Sequence, residues 1–187
     1  INLTNHKVTS PMDVLEASRA MATDRGLVVT GSEIVGVVPF QALYQAGQRY
    51  LKKQGKSPYI PVADVLENAV FSMGLSDVAP FEIDKKVLGL PKTYPGGFMA
   101  MSGAAFVDEV SRDSPAPGGG SIAALAGALG AALASMVAHL THGKAKSPAA
   151  EAALAQAVEK AQRAKDALVL AVDEDASAFT AYMDARR

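Results

Sequence analysis

Apolar and polar residues alternate over the first part of residues 1–8, the period of a half-buried strand. Ser10 followed by Pro11 then offers an N-cap and a proline at the first helical position, which predicts a helix to about Asp24. Val14, Leu15, Ala17, Ser18 and Met21 are its expected core face. After Arg25 and Gly26, the β-branched run at 27–30 predicts a buried strand, interrupted by Gly31, Ser32 and Glu33 and resumed at 34–38. Pro39 opens a second helix over 41–54, stopped by Gly55. A third, over 61–73, carries Val62, Val65, Leu66, Ala69, Val70 and Met73 at helical spacing, with Gly74 as its C′ residue. Residues 81–89 fit a short helix or a strand equally well.

The later sequence reads as almost pure helix. Residues 103–112 form one helix, with Phe106, Val107 and Val110 inward. Residues 114–120 are a Pro/Gly loop, 121–142 a long helix, and 148–187 one very long helix or two with a bend near Asp173. No charge interrupts 121–140, so a membrane span must be weighed. Ile122, Leu125, Leu129, Met136 and Leu140 keep to one stripe among alanines and glycines, which predicts a tightly packed bundle helix instead.

Composition divides the chain at the same place. Residues 1–99 hold eight alanines and residues 100–187 hold twenty-seven. Two architectures are therefore expected: an α+β segment at 1–90 and an all-α segment at 102–187, joined by a linker at 91–101. The chain opens on Ile1 and stops at Arg187 while still reading as helix, so both segments are expected to be parts of a longer protein. Eighteen Lys/Arg against nineteen Asp/Glu give a net charge of −1, which argues against nucleic acid as partner. The absence of cysteine excludes disulfides, thiol catalysis and Cys-type metal sites and suits a reducing, cytoplasmic setting. No His-x-x-x-His spacing occurs among His6, His139 and His142, so no metal is expected.

Candidate chemistry concentrates in the alanine-rich half. Gly118, Gly119, Gly120 and Ser121 precede a helix whose free N–H groups suit an anion; the same glycines also serve as punctuation between helices. Asp173, Glu174 and Asp175 form either a solvated acidic face or an acid/base group beside apolar residues, with Asp173 and Ser177 sharing a face. Lys144 sits where a cation favours a helix C-terminus and could equally reach an anionic ligand. In the first segment, Gly31 and Gly36 mark a bulge or a close approach inside a strand pattern.

Four stretches carry a resemblance. They are 27–40 around Thr30-Gly31-Ser32-Glu33, 114–121 with Pro117-Gly118-Gly119-Gly120-Ser121, 133–144 ending in Thr141-His142-Gly143-Lys144, and 173–182 with Asp173-Glu174-Asp175-Ala176. In this order they resemble the formiminotransferase-cyclodeaminase family of folate enzymes in histidine breakdown. The resemblance covers essentially the whole chain. It implies that 1–90 is the C-terminal subdomain of the transferase domain, and 102–187 the first half of a helical cyclodeaminase domain.

The cyclodeaminase reaction would convert 5-formiminotetrahydrofolate to 5,10-methenyltetrahydrofolate and ammonia. The resemblance implies Asp173, or second Asp175, as the acid/base group. It places Gly118, Gly119, Gly120 and Ser121 along the folate and Lys144 on its glutamate tail, which can be a polyglutamate. Tetrahydrofolate is the implied carrier, a homo-oligomer with sites between subunits the implied assembly, and no membrane or nucleic acid an implied partner. The family's transferase histidine has no counterpart here, so formimino transfer by this stretch alone is not expected. The rival readings are a methenyltetrahydrofolate cyclohydrolase and a non-catalytic helical assembly module.

Overall fold

The computed structural model describes residues 1–91 and 97–186, and the chain divides into two compact units, Ile1–Pro91 and Lys92–Arg187. The part of the expected linker at 92–96, and Arg187 at the end of the expected last helix, lie outside the described residues.

The first unit is built on three helices: α1 (Pro11–Thr23), α2 (Phe40–Lys53) and α3 (Val62–Met73). Ser10 caps α1 through a capping box, its hydroxyl taking the Asp13 N–H at 3.2 Å while Asp13 takes the Ser10 N–H at 2.9 Å. Gly74 ends α3 in the left-handed conformation at φ 60°. The core gathers Leu43, Ala46 and Tyr50 from α2 with Leu66, Ala69 and Met73 from α3, and Met12 and Leu15 from α1. The buried face of α1 is therefore set by Met12 and Leu15, whereas Ala17 and Met21, expected inward, are exposed.

The expected strands are the main departure. Residues 1–8 form no strand, and 6–8 are a turn, because the Asn5 side chain takes the Lys7 N–H and its carbonyl takes those of Val8 and Thr9. Of the β-branched run at 27–38, only β1 (Val38–Pro39) pairs, in parallel, with β2 (Val87–Leu88). A strand exists only where a neighbour accepts its backbone. Without one, Val28 stays 86% exposed. Residues 81–89 resolve into both options, a single turn α4 (Ile83–Lys86) followed by β2. Gly31 is a close approach after all: a methyl there would lie 2.7 Å from the Gly74 carbonyl oxygen, so the glycine serves the fold.

The second unit is helical. A 3₁₀ turn (Phe98–Ala100) leads to α5 (Gly103–Val110), α6 (Gly119–Thr141) and α7 (Pro148–Ala185), the last one continuous helix of 38 residues, about 57 Å long. On α5, Phe106 is buried and Val107 points outward. Helices α6 and α7 run antiparallel: Ser121 meets Val172, Gly127 faces Leu168, and Ser135 takes a hydrogen bond from Gln162 Nε2 at 2.9 Å. Their seam uses Ser121, Ala128 and Ser135, seven residues apart and all buried, against Val158, Val172 and Ala176. Small side chains let the two backbones close on each other, so the stripe expected inward is displaced. Leu129, Met136 and Leu140 stand outside the seam, and His139 Nε2 lies 3.2 Å from the Ser135 hydroxyl. By length and composition α6 is apolar enough to cross a membrane, and Leu129, Met136 and Leu140, expected to pack within a bundle, stand exposed.

Candidate active site

Successive helical residues are about 100° apart, so Asp173 and Asp175 point to flanks of α7 separated by roughly 200°. The two acids, alternatives in the sequence, thus have separate surroundings.

Asp173 is 6% exposed. Its carboxylate accepts the Phe98 N–H at 2.6 Å and the Met99 N–H at 3.4 Å, capping the 3₁₀ turn. Gly97 makes this approach possible, since a methyl there would sit 2.6 Å from the carboxylate carbon. Phe98 is held in turn by edge-to-face contact with the buried Phe106, centroids 6.3 Å apart. Above this corner opens a groove of about 950 Å³. Phe98 and Met101 form one wall, Pro115 and Ala116 another, and α7 supplies the floor through Asp173, Ser177 and Thr180. A carboxylate has about four acceptor positions, so two backbone donors leave Asp173 capacity toward the groove. The groove is open to solvent, and Ser177, Thr180 and Asp184 add polar groups along α7. Such a place suits a cationic or N–H-bearing ligand.

Asp175 lies at the other flank, exposed to solvent but seated on the amino end of α6. Its Oδ2 accepts from the Ser121 hydroxyl at 3.0 Å, and a methyl on Gly120 would lie 2.3 Å from Oδ1. The triple-glycine turn is thus already faced by the chain's own anion. Gly118, Gly119, Gly120 and Ser121 do not line the groove. Nor does Lys144. It stands beyond the far end of α6, 23 residues or about 35 Å of helix away, where Nζ donates to the Leu140 carbonyl at 2.9 Å. Within one chain the structure therefore brings Gly120, Ser121 and Asp175 together, and leaves Lys144 and Asp173 apart from them.

Near Lys144, the turn after α6 is tied by Glu151, which takes the Gly143 N–H at 2.9 Å and pairs with His142 at 2.7 Å. The Gly143 N–H, and then the His142 charge, hold the Glu151 carboxyl below its ordinary range.

Sequence reasoning missed Gly97, Phe98, Met101, Pro115 and Ala116. Pro115 and Ala116 fall in the Pro/Gly stretch 114–121 without an assigned part, and nothing local marks Gly97, Phe98 and Met101, because their partner Asp173 is 75 residues from Phe98. Thr180 and Asp184 had a signal: with Asp173 and Ser177 they recur at steps of three and four along one face of α7.

Residues 1–90 match the Formiminotransferase domain family, and residues 102–187 match the Formiminotransferase-cyclodeaminase family. Formimidoyltransferase-cyclodeaminase of Rattus norvegicus is 36% identical over 98% of this chain and 34% of its own length. That of Dictyostelium discoideum is 33% identical over 99% of the chain and 35% of its own. Methenyltetrahydrofolate cyclohydrolase of Methylorubrum extorquens is 45% identical over 80 residues, covering 43% of this chain and 38% of that protein. The chain spans about a third of the length of the formimidoyltransferase-cyclodeaminases it matches. Both halves and the relatives covering them in one alignment agree: the chain belongs to the formiminotransferase-cyclodeaminase family.

Proposed function

We propose that the second unit serves the cyclodeaminase step, conversion of 5-formiminotetrahydrofolate to 5,10-methenyltetrahydrofolate and ammonia, with Asp173 as its acid/base group. One observation carries this reading: the buried Asp173 carboxylate opens into the apolar groove between the 97–101 segment and residues 115–116. In the reaction, N10 of the folate attacks the amidinium carbon attached to N5, forming the N10–C bond. The N10 proton passes to the departing nitrogen, the C–N bond breaks, and ammonia leaves as the second C–N double-bond character of the methenyl cation forms. One positive charge is present before and after. A fixed carboxylate beside that charge stabilises it throughout and can relay the proton. Asp175, facing the other flank, is not on that path.

The wider reading follows the family. The whole protein would transfer the formimino group from formiminoglutamate to tetrahydrofolate, with residues 1–90 belonging to that half; no described residue is assigned a catalytic part in transfer. A cytoplasmic setting fits a chain without cysteine. Assembly of several copies fits the exposed row of large residues on α6. The match to a methenyltetrahydrofolate cyclohydrolase supports a second reading, in which water attacks the methenyl carbon in the same groove.

The test is Asp173→Asn in the full-length protein, assayed for ammonia release and methenylfolate formation. Loss of a positioned proton-transfer group predicts a fall in kcat of about 10²–10⁴-fold. A wild-type rate in that variant overturns the assignment. Consumption of methenylfolate by the wild type without ammonia turnover would favour the cyclohydrolase reading.

A further inference from the structure

We infer that Asp175 is a positioning residue for the same reaction, acting through the amino end of α6 and not on the folate. The inference rests on reading the Asp173 groove as the folate seat. Three observations carry it. First, Asp175 does not line the groove, and it points about 200° around α7 from Asp173. Second, its carboxylate is bound to the start of α6 in two ways. The fully buried Ser121 donates to it at 3.0 Å, and it fills the space that a side chain at Gly120 would need. The same Ser121 oxygen lies 3.0 Å from the Val172 carbonyl, so one hydroxyl hydrogen serves two acceptors on adjacent turns of α7. Third, Gly118 at the N-cap has no side chain to satisfy the first turn of α6, and an anion at that end complements the exposed N–H groups.

The link to the groove is short. Pro115 and Ala116, which wall it, enter α6 directly through Pro117 and Gly118. Whatever fixes where α6 begins fixes that wall. Releasing Asp175 would let the first turn of α6 drift along α7 and widen the folate seat without touching the reacting atoms. The loss would then appear in substrate binding, whereas loss of Asp173 would appear in turnover.

The test compares Asp175→Asn, Asp175→Ala, Ser121→Ala and Asp173→Asn in the full-length protein, with KM and kcat for 5-formiminotetrahydrofolate and the Kd of 5-formyltetrahydrofolate. A positioning role predicts partial rescue by Asp175→Asn, whose amide oxygen still accepts the Ser121 hydroxyl while the charge facing the α6 amino end is lost. Asp175→Ala and Ser121→Ala should each raise KM and Kd about tenfold, a coupling of roughly 1.4 kcal/mol, with kcat nearly unchanged. Combining them should add little, since both cut one link. If Asp175→Ala fails to fold, Asp175→Asn and Ser121→Ala still decide the matter. Asp175→Asn falling in kcat as far as Asp173→Asn, with Kd unchanged, overturns the inference and makes Asp175 catalytic. A fully active Asp173→Asn overturns the groove reading instead, and the Kd series then reports on Asp175 independently.

Discussion

Glu16 on α1 accepts from Arg19 Nη1 at 2.8 Å and from the Tyr50 hydroxyl at 3.0 Å, and it pairs with Lys53; Arg19 also donates to the Ser72 carbonyl at 3.1 Å. One carboxylate thus ties α1 to α2, and Arg19 extends the tie to the end of α3. Lys53 foremost, then Arg19 and Tyr50, outweigh burial and hold the Glu16 carboxyl at about 2. The Ser10 hydroxyl and N–H, with Arg49, do the same for Asp13, also to about 2. Burial, and after it Glu16, push the Tyr50 hydroxyl up to about 12. Depressed carboxyls contribute stability that is complete above their ordinary values, 4.5 for Glu16 and 3.8 for Asp13, and drains away as pH falls toward about 2. Glu16→Gln should therefore flatten the loss of stability between those limits, as urea denaturation at stepped pH would show. An unchanged slope would mean the cluster contributes nothing. Of these contacts only the Ser10 cap was legible in the sequence. Tyr50 and Ser72 lie 34 and 53 residues from their partners, and no local pattern encodes such a meeting.

Among elements, the legible ones were those whose stabilisation is local. The boundaries of α1, α2 and α3 follow Ser10, Gly55 and Gly74, whose capping and turn chemistry acts within a few residues. The strands failed because pairing is non-local: the run at 27–38 has the composition of a strand, yet only Val38 and Pro39 find a neighbour. In α6 the helix was legible and its inward face was not, since a seam of serines and alanines is set by backbone distance and not by hydrophobicity. Glycine substitutions separate these effects. In α2, a methyl at Gly47 would meet the Val65 carbonyl oxygen at 2.1 Å, so Gly47→Ala should cost about 1–3 kcal/mol although alanine is the better helix former. In α6, a methyl at Gly130 meets nothing within 4 Å, so Gly130→Ala should add about 0.5–1 kcal/mol. Denaturation midpoints of the two variants moving the same way would disprove the packing argument.

For the molecule as a whole, Leu129, Leu133, Met136, Val137 and Leu140 form an exposed apolar row along one helix, more than a monomer ordinarily shows to water. If copies of the chain cover it, Leu133→Glu with Val137→Glu should lower the sedimentation coefficient of the full-length protein. A wild-type monomer would remove assembly from the proposal, and co-sedimentation with phospholipid vesicles would assign the row to a membrane. The order in which the chain is made gives the groove a further property. Phe98 waits 75 residues for Asp173, about 4–15 s of synthesis at ordinary ribosomal rates. The walls are made before the floor, and α6 emerges whole before the part of α7 that receives its first turn. A nascent chain therefore carries the apolar length of α6 uncovered during that interval. That is when a chaperone would find most to hold, and when a stalled ribosome would release the most aggregation-prone product.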